Sequence, residues 1–141
     1  MGNRVSNCKF CEIVLQNDKN IILYEDEYIV IFKDIKPCAK IHLLVVPKHH
    51  IVNANYLTKD HLNLLEHMKV KSIEYLKIEN LIEDEYKDGY QMGFHVPPFV
   101  MISHLHLHVI IPPYKSKLAK SLMFGYLFRP IDLQLKKLAD L

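Results

Sequence analysis

Phe10, Ile13 and Val14 recur at helical spacing behind Asn7, a residue type that caps helices well, so the pattern predicts a short helix from Cys8 to about Asn17. Two β-branched and aromatic runs follow, Ile21 to Tyr24 and Tyr28 to Phe32, and the polar break Glu25-Asp26-Glu27 between them predicts a hairpin. Asp34-Ile35-Lys36-Pro37 interrupts the sheet, because proline lacks the donor that a central strand needs. Ile41 to Val46 reads as a third strand, stopped by Pro47. Behind Thr58, a second capping residue, Leu62, Leu65, Ile73 and Leu76 fall along one side of a long helix that reaches about Glu79. The acidic stretch from Glu79 to Asp88 reads as a solvated loop, with His61 and His67 as surface residues of the helix before it. Tyr90 to Phe94 is a fourth strand, Pro97-Pro98 a turn, and Val100 to Ile111 a fifth strand ended by Pro112-Pro113. Strands bracketing one long helix predict an α+β fold: a mainly antiparallel five-stranded sheet with one long and one short helix.

Length adds that one core is enough. The 141 residues suit a single domain, with an arm over 1–7, the domain over 8–113 and a basic tail over 114–141 belonging to the same unit. From Tyr114 onward lysine and arginine outnumber aspartate, and that tail reads as a solvated segment. Half of the residues are hydrophobic and the formal net charge is only +2, which excludes a disordered chain and argues against a nucleic acid polymer gripped by its phosphates. Four scattered glycines leave no GxGxxG or GxxxxGK[ST] phosphate loop. No apolar run approaches the roughly 20 residues of a membrane span. Three cysteines, an odd number, set the expectation of a reducing compartment, cytoplasm or nucleus. Met1-Gly2-Asn3-Arg4-Val5-Ser6 fits the loose N-myristoylation pattern.

Candidate chemistry gathers at His104-Leu105-His106-Leu107-His108. On a strand, residues at i, i+2 and i+4 share a face at intervals of about 6.7 Å, with Leu105, Leu107 and Val109 seated on the core behind them. Such a row of groups titrating near neutrality suits proton transfer, nucleophilic attack or metal binding. Lys48, His49 and His50 follow directly on a strand, in a loop position where site residues collect. Cys8-x-x-Cys11 is either the first half of a zinc site or a pair of buried thiols.

The run Ser103-His104-Leu105-His106-Leu107-His108-Val109-Ile110 resembles the motif of the histidine triad (HIT) superfamily. The likeness extends to Cys8-Lys9-Phe10-Cys11, Phe32 to Pro37, Leu44 to Ile51 and Met92 to Phe99, and is strongest to the third branch of the histidine triad nucleotide-binding proteins. The resemblance implies an α+β homodimer that hydrolyses purine nucleoside 5′-phosphoramidates, with lysyl-AMP among the candidate substrates, through a nucleotidyl-histidine. It implies His106 as nucleophile, His108 as the donor to phosphate oxygens, and His104 and His50 as the histidines beside them. It implies Asp34 on the ribose, Phe10 and Ile35 at the base, and His95 where relatives place a phosphate-contacting asparagine. In zinc-bearing relatives the ligands match Cys8, Cys11, His50 and His104. One departure stands out: Met101 occupies the position of a serine near the leaving group, which leads us to expect reduced catalytic power. Two rivals remain at this level, a nucleotide-sensing dimer with little turnover and a metalloenzyme holding catalytic zinc on the histidine row.

Overall fold

A computed structural model describes residues 7–83, 89–97 and 102–141. The sheet has six strands: β1 (Ile22–Glu25), β2 (Ile29–Lys33), β3 (Ala39–Pro47), β4 (Gln91–His95), β5 (Leu107–Tyr114) and β6 (Phe128–Pro130). Their order is β1-β2-β3-β5-β4-β6, every neighbouring pair antiparallel. Four α-helices accompany them among the described residues: α1 (Lys9–Gln16), α2 (Leu62–Ile78), α3 (Lys117–Met123) and α4 (Ile131–Ala139). The α+β class and the hairpin, third and fourth strands thus follow the sequence pattern, while the strand and helix counts exceed it.

The excess comes from the tail. Ile131, Leu135 and Leu138 recur at helical spacing, and Ile131 and Leu138 are buried in the main core with α2. Arg129 donates to the side-chain carbonyl of buried Gln134 at 2.7 Å, tying β6 to α4. Lysines solvate the outer side of these short elements, and their charge masks the apolar stripe when the segment is read for net charge alone.

Alternation within β3 divides the molecule into two layers. Leu43 and Val45 enter the main core with Leu107 and Val109, beneath α2 and α4. Leu44 and Val46 face the other way with Val30 and Phe32, onto Phe10 and Val14 of α1. Cys8, rather than Asn7, caps α1: its Sγ accepts the Cys11 amide proton at 3.4 Å. Thr58 caps the helical segment as expected, and His61 completes the cap by accepting the Thr58 amide on Nδ1 at 2.9 Å. His67 is likewise engaged, 2.7 Å from Asp26, so neither histidine is a loose surface residue.

β5 starts later than the alternation suggests. Its pairing with β3 runs from Tyr114 only as far as Leu107, opposite Val45, and Leu105 donates its amide instead to the Ile51 carbonyl at 2.6 Å. His104 and His106 therefore precede the strand and only His108 lies in it. At the other end β5 continues through Pro112-Pro113 to Tyr114, because a bulge opposite Ala39 and Ile41 accepts residues that cannot donate to a ladder. Met101, Pro98 to Val100, Asp84 to Asp88 and the segment Met1 to Ser6 lie outside the described residues.

Candidate active site

His106 sits edge-on to Phe10, ring centroids 5.1 Å apart, and 4.9 Å from the His108 ring. Its Nδ1 lies 2.7 Å from the His104 carbonyl. A carbonyl only accepts, so Nδ1 carries the proton and the Nε2 lone pair of the neutral ring is left unshared. Burial lowers the pKa of His106 from its ordinary value, with the His104 carbonyl pulling the other way. The neutral, nucleophilic form is thereby favoured.

His108 is held by a residue that the sequence reading missed. His42 on β3 accepts the Cys38 amide on Nδ1 at 3.0 Å, so its proton resides on Nε2. That Nε2 lies 2.9 Å from Nδ1 of His108 and 3.3 Å from Oδ2 of Asp34. His42 donates to His108, whose own proton is then placed on Nε2. This Nε2 is buried with no hydrogen-bond partner among the described residues. A buried donor without an acceptor costs roughly 1–3 kcal/mol. Such a donor can serve an anionic oxygen. Burial first, then the rings of His106, His95 and His42, hold the pKa of His108 well below the ordinary range, so it donates as a neutral ring. The signal for His42 was present in the sequence: it is the one histidine inside the apolar run Ile41 to Val46, where a solvated residue has no place. Its register beside Ile110 becomes visible only with strand pairing.

The cysteines gather the remaining two histidines. Sγ of Cys8 lies 3.3 Å from Nδ1 of His104, Sγ of Cys11 lies 3.3 Å from Nδ1 of His50, and the two Nδ1 atoms are 3.1 Å apart. Zinc bonds of about 2.0–2.3 Å in a tetrahedron require edges of about 3.3–3.8 Å, so the four atoms are close to that geometry. The far nitrogen of His104 settles its tautomer: Nε2 donates to the Pro47 carbonyl at 2.8 Å and turns an unprotonated Nδ1 to the sulfurs. This is the support that metal-binding imidazoles ordinarily receive. Burial pushes His104 down to about 4, which keeps the ring neutral.

Asp34, His42 and His108 form a second group of potential ligands by distance alone. Here the far nitrogen argues the opposite. Nδ1 of His42 faces a backbone donor, so Nε2 must keep its proton and has no lone pair to offer. That cluster is a hydrogen-bond relay. Among the described residues the three triad imidazoles do not themselves form a group of ligand atoms within reach of one ion.

The other expected residues surround this core. Asp34 closes its loop by accepting the Lys36 amide at 2.8 Å. Ile35 beside it is 90% exposed, an apolar side chain with room for a planar ring against it. Phe10 is buried, in edge contact with Phe32 at 5.4 Å, and supports His106 from below. His95 packs on His108 at 4.7 Å and anchors its Nε2 on the Met123 carbonyl at 2.9 Å. His50 packs on the first triad ring, His104, at 4.7 Å and against the cysteines rather than on the nucleophile, and His42 stands beside the third ring, His108.

Known proteins resemble this chain in sequence and in fold. Residues 7–124 match the family described as scavenger mRNA decapping enzyme, C-terminal binding. An adenosine 5′-monophosphoramidase HINT3 from Mus musculus is 42% identical over 141 residues, covering 96% of this chain and 84% of its own. The protein of the same name from Xenopus tropicalis is 41% identical over 107 residues, covering 75% and 68%. Among solved structures, a HIT family hydrolase from Clostridium thermocellum superposes with a TM-score of 0.68 at 28% identity, covering 80% of this chain and 96% of its own.

Proposed function

This chain belongs to the histidine triad superfamily, and from that premise we propose that it hydrolyses adenosine 5′-monophosphoramidates through an adenylyl-His106 intermediate. The observation that carries the mechanism is the far-side bond of His106: with Nδ1–H fixed on the His104 carbonyl, Nε2 is the atom that attacks. It bonds to the α-phosphorus as the phosphorus–nitrogen bond breaks, and the departing amine takes up a proton. Water then displaces His106 and releases AMP. Dividing one difficult displacement into two easier ones is the benefit of covalent catalysis. The unpartnered Nε2–H of His108, oriented by His42 and ultimately by the Cys38 amide, donates to a phosphate oxygen as charge develops in the transition state.

In this reading Asp34 accepts from the ribose hydroxyls, Ile35 and Phe10 border the adenine, and His95 lies on the phosphate side of the pocket. Cys8, Cys11, His50 and His104 would hold a zinc ion through four protein ligands, and such a closed site would tie α1 to the triad segment and serve stability rather than the reaction. The family resemblance further supports a homodimer of the cytoplasm and nucleus, and an amine side that admits a lysyl group. No described helix is long and apolar enough to cross a membrane. A sensing dimer without turnover is separated from the enzyme by steady-state release of AMP from an adenosine phosphoramidate. His106→Ala is expected to abolish release while AMP affinity stays within about threefold, because His106 belongs to bond making rather than to nucleoside contact. Turnover retained in that variant would overturn the assignment.

A further inference from the structure

Hydrolysis of a phosphorus–nitrogen bond leaves one requirement unmet by the residues discussed so far. An alkylamine does not depart as an anion, so a proton must reach the nitrogen as the bond breaks. His106 is the nucleophile, and the proton on its Nδ1 is held by a carbonyl on the far side of the ring. His108 gives its Nε2–H to phosphate, and both nitrogens of His42 are engaged. His104 and His50 turn toward the cysteines. His95 is the remaining imidazole against the triad, 4.7 Å from the His108 ring, and its Nδ1 makes no hydrogen bond among the described residues.

The C-terminal segment fixes this ring. His95 is paired directly opposite Phe128 across β4 and β6, ring centroids 5.7 Å apart in an edge-on contact. The close approach of Phe128 depends on Gly93, where a Cβ would stand 2.5 Å from the tip of the phenyl ring. The carbonyl of Met123, the last residue of α3, accepts the hydrogen bond from Nε2. Since a carbonyl only accepts, Nε2 stays protonated throughout, and the proton available for transfer is the one on Nδ1.

We propose that His95, clamped by Phe128 and the Met123 carbonyl, is the general acid that protonates the leaving amine. Nε2 of His106 bonds to phosphorus, the electron pair of the phosphorus–nitrogen bond goes to nitrogen, and that nitrogen takes the Nδ1 proton of the His95 imidazolium. A neutral amine departs and His95 is left neutral. In the second half-reaction neutral His95 receives the proton of the attacking water, and the imidazolium is restored. This inference rests on the phosphoramidase reading and adds the residue that determines how that reaction depends on its leaving group.

The test is single-turnover adenylylation of the full chain with adenosine phosphoramidates of graded amine basicity, comparing wild type with His95→Gln, Phe128→Leu and Phe128→Tyr, and with AMP affinity measured alongside. For His95→Gln the expected loss is about 100-fold with alkylamines and below about tenfold with arylamines, which need the proton least. Phe128→Leu, which keeps an apolar side chain on β6, should shift in the same direction by a smaller amount, and Phe128→Tyr should recover the wild-type dependence. AMP affinity should fall far less than the alkylamine rate in every variant, since protonation belongs to the transition state. A loss equal across the amine series, a loss matched by weaker AMP binding, or no loss at all would each overturn the assignment of His95. Absence of adduct in the wild type would overturn the phosphoramidase reading together with it.

Discussion

Each imidazole of the site is committed to its task by what its far nitrogen meets. A carbonyl behind His106 and another behind His104 hold their protons on one nitrogen and leave a lone pair on the other. A backbone amide behind His42 does the reverse and passes a proton toward His108. Because burial lowers the pKa values of His106, His108 and His42, protonation of these rings sets in only below the ordinary histidine value of about 6.5. The acid limb of kcat/KM should therefore fall below pH 6.5, with activity still near its plateau there. A half-loss at or above that pH would contradict the account. The identity of the nucleophile could be read from the spacing of the three histidines, but the partner of His108 could not: His42 and His108 are 66 residues apart, and only the register of β3 against β5 places them side by side.

At the level of elements, two joints determine whether the site is assembled. The first brings α1 to the segment before β5, through Cys8 and Cys11 against His50 and His104. If zinc occupies it, elemental analysis gives about one metal per chain, and Cys8→Ser lowers the melting temperature by at least about 5 °C while the folded fraction keeps most of its kcat. Metal-free protein of unaltered stability would leave the thiols as packing. The second joint is Gly93 against Phe128. Gly93→Ala puts a methyl group 2.5 Å from the phenyl ring and 2.7 Å from the Arg129 carbonyl, both of which must move. We expect a loss of about 1–3 kcal/mol in chemical denaturation. A stability change below about 0.5 kcal/mol would show that β6 does not hold this edge. The apolar alternation made β1 to β4 legible in advance, whereas β6 is a three-residue strand with too few positions to show a period, and it pairs only because α4 beside it is anchored in the core.

Across the whole molecule, one sheet separates two kinds of work. Its α2 and α4 side carries the larger core, with fully buried Leu65, Met68, Leu76 and Leu107, and supplies the rigidity. Its other side carries α1, α3 and the histidines, and a residue changes layer with each step along β3 and β5. That alternation explains why function was readable from the triad although His104 and His106 lie outside the strand: Leu105, Leu107 and Val109 keep the period, and the histidines inherit the opposite face. The same parity sets the ring of His106 between Phe10 and His108, with centroids 5.1 and 4.9 Å away. The most direct test is mass spectrometry of the chain denatured at alkaline pH, where a phosphorus–nitrogen bond to imidazole survives, during turnover of an adenosine phosphoramidate, followed by peptide mapping. The account predicts one added adenylyl group on the peptide containing His106, absent from His106→Ala. Turnover with no adduct, or an adduct on any other residue, would contradict it.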